Sequence, residues 1–128
     1  MLLLAYGIGI TPSMSILRTA ADRADPRGFV LFYANRRLED VTFAEELAEL
    51  SERLDLRIVH VLSQPPPHWT GERGRITPDL LQRHAPNDLS HWDFFLCGAP
   101  APVDAGIRAL SQIGIPPEHV HAERFVEV

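Results

Sequence analysis

Short, almost unbroken apolar runs alternate along the chain with stretches whose apolar residues recur every three or four positions. Residues 2–5, 29–33, 55–62 and 93–97 form the runs, and 120–125 adds a last short strand or extended tail. The first two runs are apolar at odd and even positions alike, as strands covered on both faces of a parallel sheet must be. Between them, Met14, Leu17 and Ala21 give residues 13–22 a helical stripe, and Phe43, Leu47, Leu50 and Leu54 give another. Thr42 and Glu45 have capping-box spacing, and Thr77 followed by Pro78 predicts the start of a third helix over 77–84. Val103, Ile107 and Leu110 mark a fourth over 102–113, ended by Gly114. This alternation predicts right-handed βαβ units: an α/β, doubly wound parallel sheet of five strands with helices on both faces. Residues 1–128 read as a single domain.

In such a sheet ligands bind beyond the carboxyl ends of the strands. The loops there are 6–11, 34–38, 63–75 and 97–100, and they hold the chain's unusual residues. Gly7 and Gly9 permit a sharp strand-to-helix turn and close approach to the backbone. Thr11 is expected to cap the helix, with Pro12 in its first turn. The helix would then present free amides and its positive end to an anion such as a pyrophosphate. A plain structural turn fits the same residues, since Pro12 stands where the dinucleotide fingerprint has a third glycine.

Composition narrows the partners. The net charge of −5 gives a nucleic acid no electrostatic support, and the apolar opening is too short to insert into a membrane. A single cysteine, Cys97, excludes an internal disulfide framework and fits a reducing, cytoplasmic setting. Cys97 at a strand end, followed by Gly98, reads either as a small buried hydrophobe or as a flat approach for a ring. No metal site is expected. His60, His68, His84 and His91 are scattered, and His119 and His121, pointing to one face of a strand, fall short of the four ligands of a structural zinc site.

Five motifs in order, Gly7-Ile-Gly-Ile-Thr-Pro12, Phe32-Tyr-Ala-Asn-Arg36, Trp69-Thr-Gly-Glu-Arg-Gly-Arg-Ile76, Cys97-Gly-Ala-Pro100 and Glu123-Arg-Phe125, together resemble the nicotinamide-dinucleotide domain of the ferredoxin–NADP reductase superfamily. The expected strand order is 3-2-1-4-5. The resemblance implies a module that binds NADH or NADPH and offers its nicotinamide to FAD carried by a barrel domain that this chain does not contain. By the same resemblance Gly7, Gly9 and Thr11 lie along the pyrophosphate, Pro12 is also cofactor-binding, and Asn35 and Arg36 lie near the phosphates or adenosine. Cys97 with Gly98 sits beside the nicotinamide, Pro100 is a further cofactor-binding residue, and Glu123 and Phe125 approach the point of hydride transfer.

NADPH-using members grip the 2′-phosphate with a Ser-Arg pair after the third strand, where this chain has Ser63-Gln64. Arg73 and Arg75 follow and could replace the missing guanidinium, so NADH is favoured only slightly. Tyr6 replaces a glycine and is expected to narrow the turn. The expected function is one half of a flavin oxidoreductase, inactive alone; the style of the 69–76 loop resembles members fused to membrane ferric-reductase-like segments, which would place the domain at a cytoplasmic face. The alternative is a non-catalytic binding or regulatory module that keeps the fold with impaired dinucleotide binding.

Overall fold

The computed structural model of the chain describes residues 1–126. Its centre is β1 (Leu2–Tyr6), whose residues alternate between two separate cores. Leu2, Leu4 and Tyr6 point to one face of the sheet, and Leu3 and Ala5 to the other, as the two-residue period of a strand requires. β2 (Gly28–Asn35), β3 (Asp55–Leu62), β4 (Glu72–Arg73), β5 (Phe94–Gly98) and β6 (Val120–Arg124) complete a parallel sheet in the order β4-β3-β2-β1-β5-β6.

The five longer strands keep the expected order, but the sheet has six members. β4 lies in what the sequence presents as loop: two residues pair with Val61 and Leu62, too few to leave a periodic signature. α1 (Ile10–Asp22) and α2 (Ala44–Arg53) cover one face, where Met14, Leu17, Leu47 and Leu50 meet Leu3, Ala5 and Leu31. α3 (Pro78–His84) and α4 (Pro100–Gln112) cover the other, with Leu80, Leu81, Val103 and Leu110 against Leu2, Leu4, Phe32 and Leu96.

Helix starts depart from the sequence reading in two places. A single 3-10 turn (Gly7–Gly9) winds the backbone directly into α1, so Gly9 takes the cap position and Thr11 lies within the first turn. The amide of Ile10 already donates to the Gly7 carbonyl, and the Thr11 hydroxyl donates back to Ile8 at 3.4 Å instead of capping. Thr42 does not cap α2 either. Its amide donates to the Tyr33 hydroxyl at 3.2 Å and its own hydroxyl lies 3.1 Å from the same oxygen, so the capping box with Glu45 is not formed. Phe43 holds the cap position with φ of 61°, leaves the buried stripe, and is 39% exposed under the Arg18 guanidinium. Thr77 does cap α3, accepting from the Leu80 amide at 3.1 Å. His119 belongs to a 3-10 turn before β6, so it and His121 do not share a strand face.

Candidate functional site

Strand order reverses between β1 and β5. α1 follows β1 on one face and α4 follows β5 on the other, so both helices begin at the carboxyl edge beside this switch. Neither has a side-chain cap or an acidic residue in its first turn. The helices farther out are finished differently: α2 opens with Glu45 and Glu46, and α3 with Thr77 and Asp79. Positive helix ends therefore stay unneutralised where the sheet offers its crevice, the electrostatics an anionic ligand requires.

At this switch the site is built from backbone. Gly9 is buried, and a Cβ placed on it would lie 2.0 Å from the Cys97 carbonyl oxygen and 2.8 Å from the Gly98 amide. The room Gly9 leaves is thus taken by the end of β5, not held open for a ligand; Gly7 is the glycine that faces open space. Gly98 has φ of 151°, and a side chain there would meet the Tyr6 Cβ and carbonyl oxygen at 2.8 Å. Tyr6 turns into the layer beneath α4, its hydroxyl against Gly106 and its side chain packed on the core cluster that includes Leu96. It does not stand in the opening over Gly7, where the sequence reading put a narrowing. Its phenol oxygen is buried without a hydrogen-bond partner, and burial raises the phenol pKa above its ordinary value.

Cys97 is fully buried. Burial first, and the nearby Glu123 carboxylate second, push its thiol up to about 11, so at neutral pH it is an uncharged, polarizable wall and not a nucleophile. Glu123 pairs in register with Cys97 on the neighbouring β6, and the Phe125 amide donates to the Gly98 carbonyl at 2.8 Å. Arg124 donates from two nitrogens to Asp104 of α4, at 2.8 and 2.7 Å, which pins this end of the chain to the helix beginning at Pro100. Glu123 is exposed and Phe125 half-buried.

Beyond β2, β3 and β4 the site consists of side chains. Asn35, the last residue of β2, has a buried side-chain nitrogen without a partner. A buried amide donor is costly unless satisfied, and its place at the carboxyl edge suits an oxygen of a bound ligand. The Ser63 amide donates to the Asn35 carbonyl at 3.1 Å and the Gln64 amide to the Arg36 carbonyl at 2.7 Å, which ties the exits of β2 and β3 together. Arg36 and Arg75 are exposed, and neither forms an ion pair among the described residues. Arg73 is engaged otherwise: one guanidinium nitrogen donates to the carbonyls of Trp69 at 2.5 Å and Pro67 at 3.3 Å, stapling the 63–75 loop.

The candidates thus gather into two neighbouring groups. Gly7, Gly9, Thr11, Pro12, Cys97, Gly98, Pro100, Glu123 and Phe125 surround the switch, while Asn35, Arg36, Ser63, Gln64, Arg73 and Arg75 flank it at the outer strands. An extended ligand with anionic centre, one flat end and one hydroxyl-rich end fits this division. The sequence reading missed Glu72, whose carboxylate takes hydrogen bonds from Arg83 and pairs with His84; of that cluster only the Asp79–Arg83 spacing is visible in sequence. Among the described residues no group of three or more His, Cys, Asp or Glu is placed to hold a metal ion.

Residues 3–106 match the profile of the oxidoreductase NAD-binding domain family. Over 125 residues the chain is 34% identical to the ferredoxin–NAD(P)+ reductase component of naphthalene 1,2-dioxygenase/salicylate 5-hydroxylase systems of a Ralstonia species, covering 98% of this chain and 38% of that protein. Over 120 residues it is 35% identical to NADH-cytochrome b5 reductase 1 of Neosartorya fischeri, covering 88% of this chain and 38% of the relative. The crystal structure of an Amycolatopsis cytochrome P450 reductase superposes with a TM-score of 0.85 at 30% identity, over 99% of this chain and 38% of that one. The chain accordingly spans well under half the length of these relatives, its counterpart being one domain of each. With the profile covering most of its length and the same fold in a relative of 30% identity, the chain belongs to the oxidoreductase NAD-binding domain family, the dinucleotide-binding unit of ferredoxin reductase-like flavoproteins.

Proposed function

We propose that this chain binds NADH, in preference to NADPH, along the carboxyl edge of its sheet and holds the nicotinamide for hydride transfer to FAD on a barrel domain of the same or a partner protein. The observation that carries this reading is the pair of uncapped helix starts, α1 and α4, on either side of the switch in strand order. When bound, the dinucleotide supplies the hydride, and the protein supplies position and electrostatics.

The positive end of α1 and the open backbone at Gly7, with Thr11 and Pro12 in the first turn, hold the pyrophosphate. Gly98 would let the nicotinamide ring lie against the strand end, Pro100 begins the helix beside it, and the protonated Cys97 thiol gives that strand end an uncharged, polarizable wall. Glu123 and Phe125 stand directly beside Cys97 and Gly98, at the end of the adjoining strand β6, where the flavin would face the site. Asn35 gives its unpaired amide to the adenosine side, with Arg36, Ser63 and Gln64 around it. Ser63-Gln64 offers no guanidinium for a 2′-phosphate, and the Arg73 nitrogen that donates to Trp69 and Pro67 is already spent, which supports NADH; Arg75 is the remaining candidate.

Tyr6 motivates the reading of a module that has lost its cofactor, yet its packing against Gly106 supports competence instead. Among the described residues no helix is long and apolar enough to cross a membrane. The cytoplasm, or the cytoplasmic face of a larger membrane protein, is the proposed location. Calorimetric titration with NADH and NADPH at low and moderate salt tests the function: saturable binding of NADH, with weaker binding of NADPH, is expected. No binding of either nucleotide by the folded chain would overturn it.

A further inference from the structure

The loop of residues 63–75 carries three of the proposed nucleotide contacts, Ser63, Gln64 and Arg75, yet its regular structure is limited to the two residues of β4. What gives it a fixed shape converges on Glu72. Its backbone pairs with Val61, and its carbonyl accepts the Trp69 indole N–H at 3.0 Å. Its carboxylate leaves the loop for α3, where Arg83 grips both oxygens at 2.7 and 3.1 Å and the His84 ring nitrogen lies 3.0 Å from one of them. Arg83 first and His84 second hold the Glu72 carboxyl below the usual carboxylate range.

α3 is itself fixed to the sheet. Arg57 of β3 donates to the His84 carbonyl at 3.2 Å, and the His84 ring meets Phe32 of β2 edge-on. Arg73, the next residue along from Glu72, returns to Trp69 and Pro67, so the tether on Glu72 reaches both sides of the loop. A bidentate guanidinium–carboxylate pair fixes orientation as well as distance, which an unstructured loop needs before it can offer several contacts at once.

We propose that Glu72 is a positioning residue for the adenosine half of the dinucleotide: through Arg83 and His84 it anchors the loop bearing Ser63, Gln64, Arg73 and Arg75 to the rigid sheet. This rests on the reading that the carboxyl edge binds NAD(P)H. The probe is ADP-ribose, which carries the adenosine and both phosphates without the nicotinamide, titrated into the full chain well below its melting temperature. Glu72→Gln weakens ADP-ribose binding about tenfold, the effect of losing a charge-assisted pair that orders a contact loop. Arg83→Met does the same, the double variant is no weaker than either single one, and Arg83→Lys, keeping charge without the fork, falls between. Glu46→Gln, which cuts the comparable Arg18 pair between α1 and α2, leaves the affinity unchanged. Should Glu72→Gln fail to fold, the two Arg83 variants make the same comparison. Wild-type affinity in a folded Glu72→Gln or Arg83→Met overturns the positioning role alone, whereas wild-type protein that fails to bind ADP-ribose overturns the role and the underlying site together.

Discussion

The two ends of the carboxyl edge are built in opposite ways. Around β1 and β5 the site is backbone packed on backbone: Gly9 against Cys97, Gly98 against Tyr6, and Phe125 bonded to Gly98. Around β2, β3 and β4 it is exposed side chain and loop, held by Arg73 and by the ion pairs of Glu72. The first kind of construction cannot be altered without moving the fold, because close-packed backbone has nowhere to go. The second can change residue by residue, and under the proposed function the choice of nucleotide would be made there. Substitutions at the first end should therefore read out as stability, and at the second as affinity.

Gly9→Val is the severest test of that division. With a Cβ only 2.0 Å from the Cys97 carbonyl, it should cost about 3 kcal/mol or more and lower the melting temperature by roughly 10 °C or prevent folding. A thermal melt matching wild type would mean the turn can lift off β5, and the comparison would fail. Arg75→Ala should leave the melt alone and weaken NADPH binding about tenfold while sparing NADH, if its guanidinium serves a 2′-phosphate; equal losses for both nucleotides in titration would move Arg75 to a shared part of the site.

Tyr6→Phe sharpens the contrast from the packed end. It removes a buried hydroxyl without a partner, so it should raise stability by about 1 kcal/mol in a denaturant titration and leave nucleotide affinity unaltered. A loss of stability would reveal a hydrogen bond at that oxygen. The smallest effect concerns pH. Burial lowers the His60 pKa below its ordinary 6.5, so the folded state resists protonation while the unfolded state accepts it. The neutral-His contribution is fully present above pH 6.5 and is lost as the pH falls from there through the folded value, with a slope of at most about 1.4 kcal/mol per pH unit. His60→Gln should flatten the stability profile below pH 6.5, as measured by urea midpoints. An unchanged slope would assign that limb to other groups.

The sequence made the sheet legible because both faces of Leu2–Tyr6 and Gly28–Asn35 are buried, and burial on two sides writes a continuous apolar run. Thr77 was legible as a cap because its partner lies three residues away. Thr11 and Thr42 carried the same local signal and were claimed by other geometry, one by a 3-10 turn starting at Gly7 and the other by the Tyr33 hydroxyl. Gly9 reads locally as a glycine that leaves room for a ligand. What fills that room comes from a strand far along the chain, and no local spacing encodes it. The same applies to Glu72, Arg83 and His84, which meet across a loop, and to Tyr6, whose direction follows from the alternation of β1 once the helix above that face is known.

Cys97 is the chain's single sulfhydryl, and it lies fully buried with its ionisation suppressed, at the junction of β5 with the glycine turn. Alkylating reagents can reach it only when that junction parts. The rate at which the folded protein takes up such a reagent therefore counts openings at one end of the crevice, without any label being engineered into the molecule.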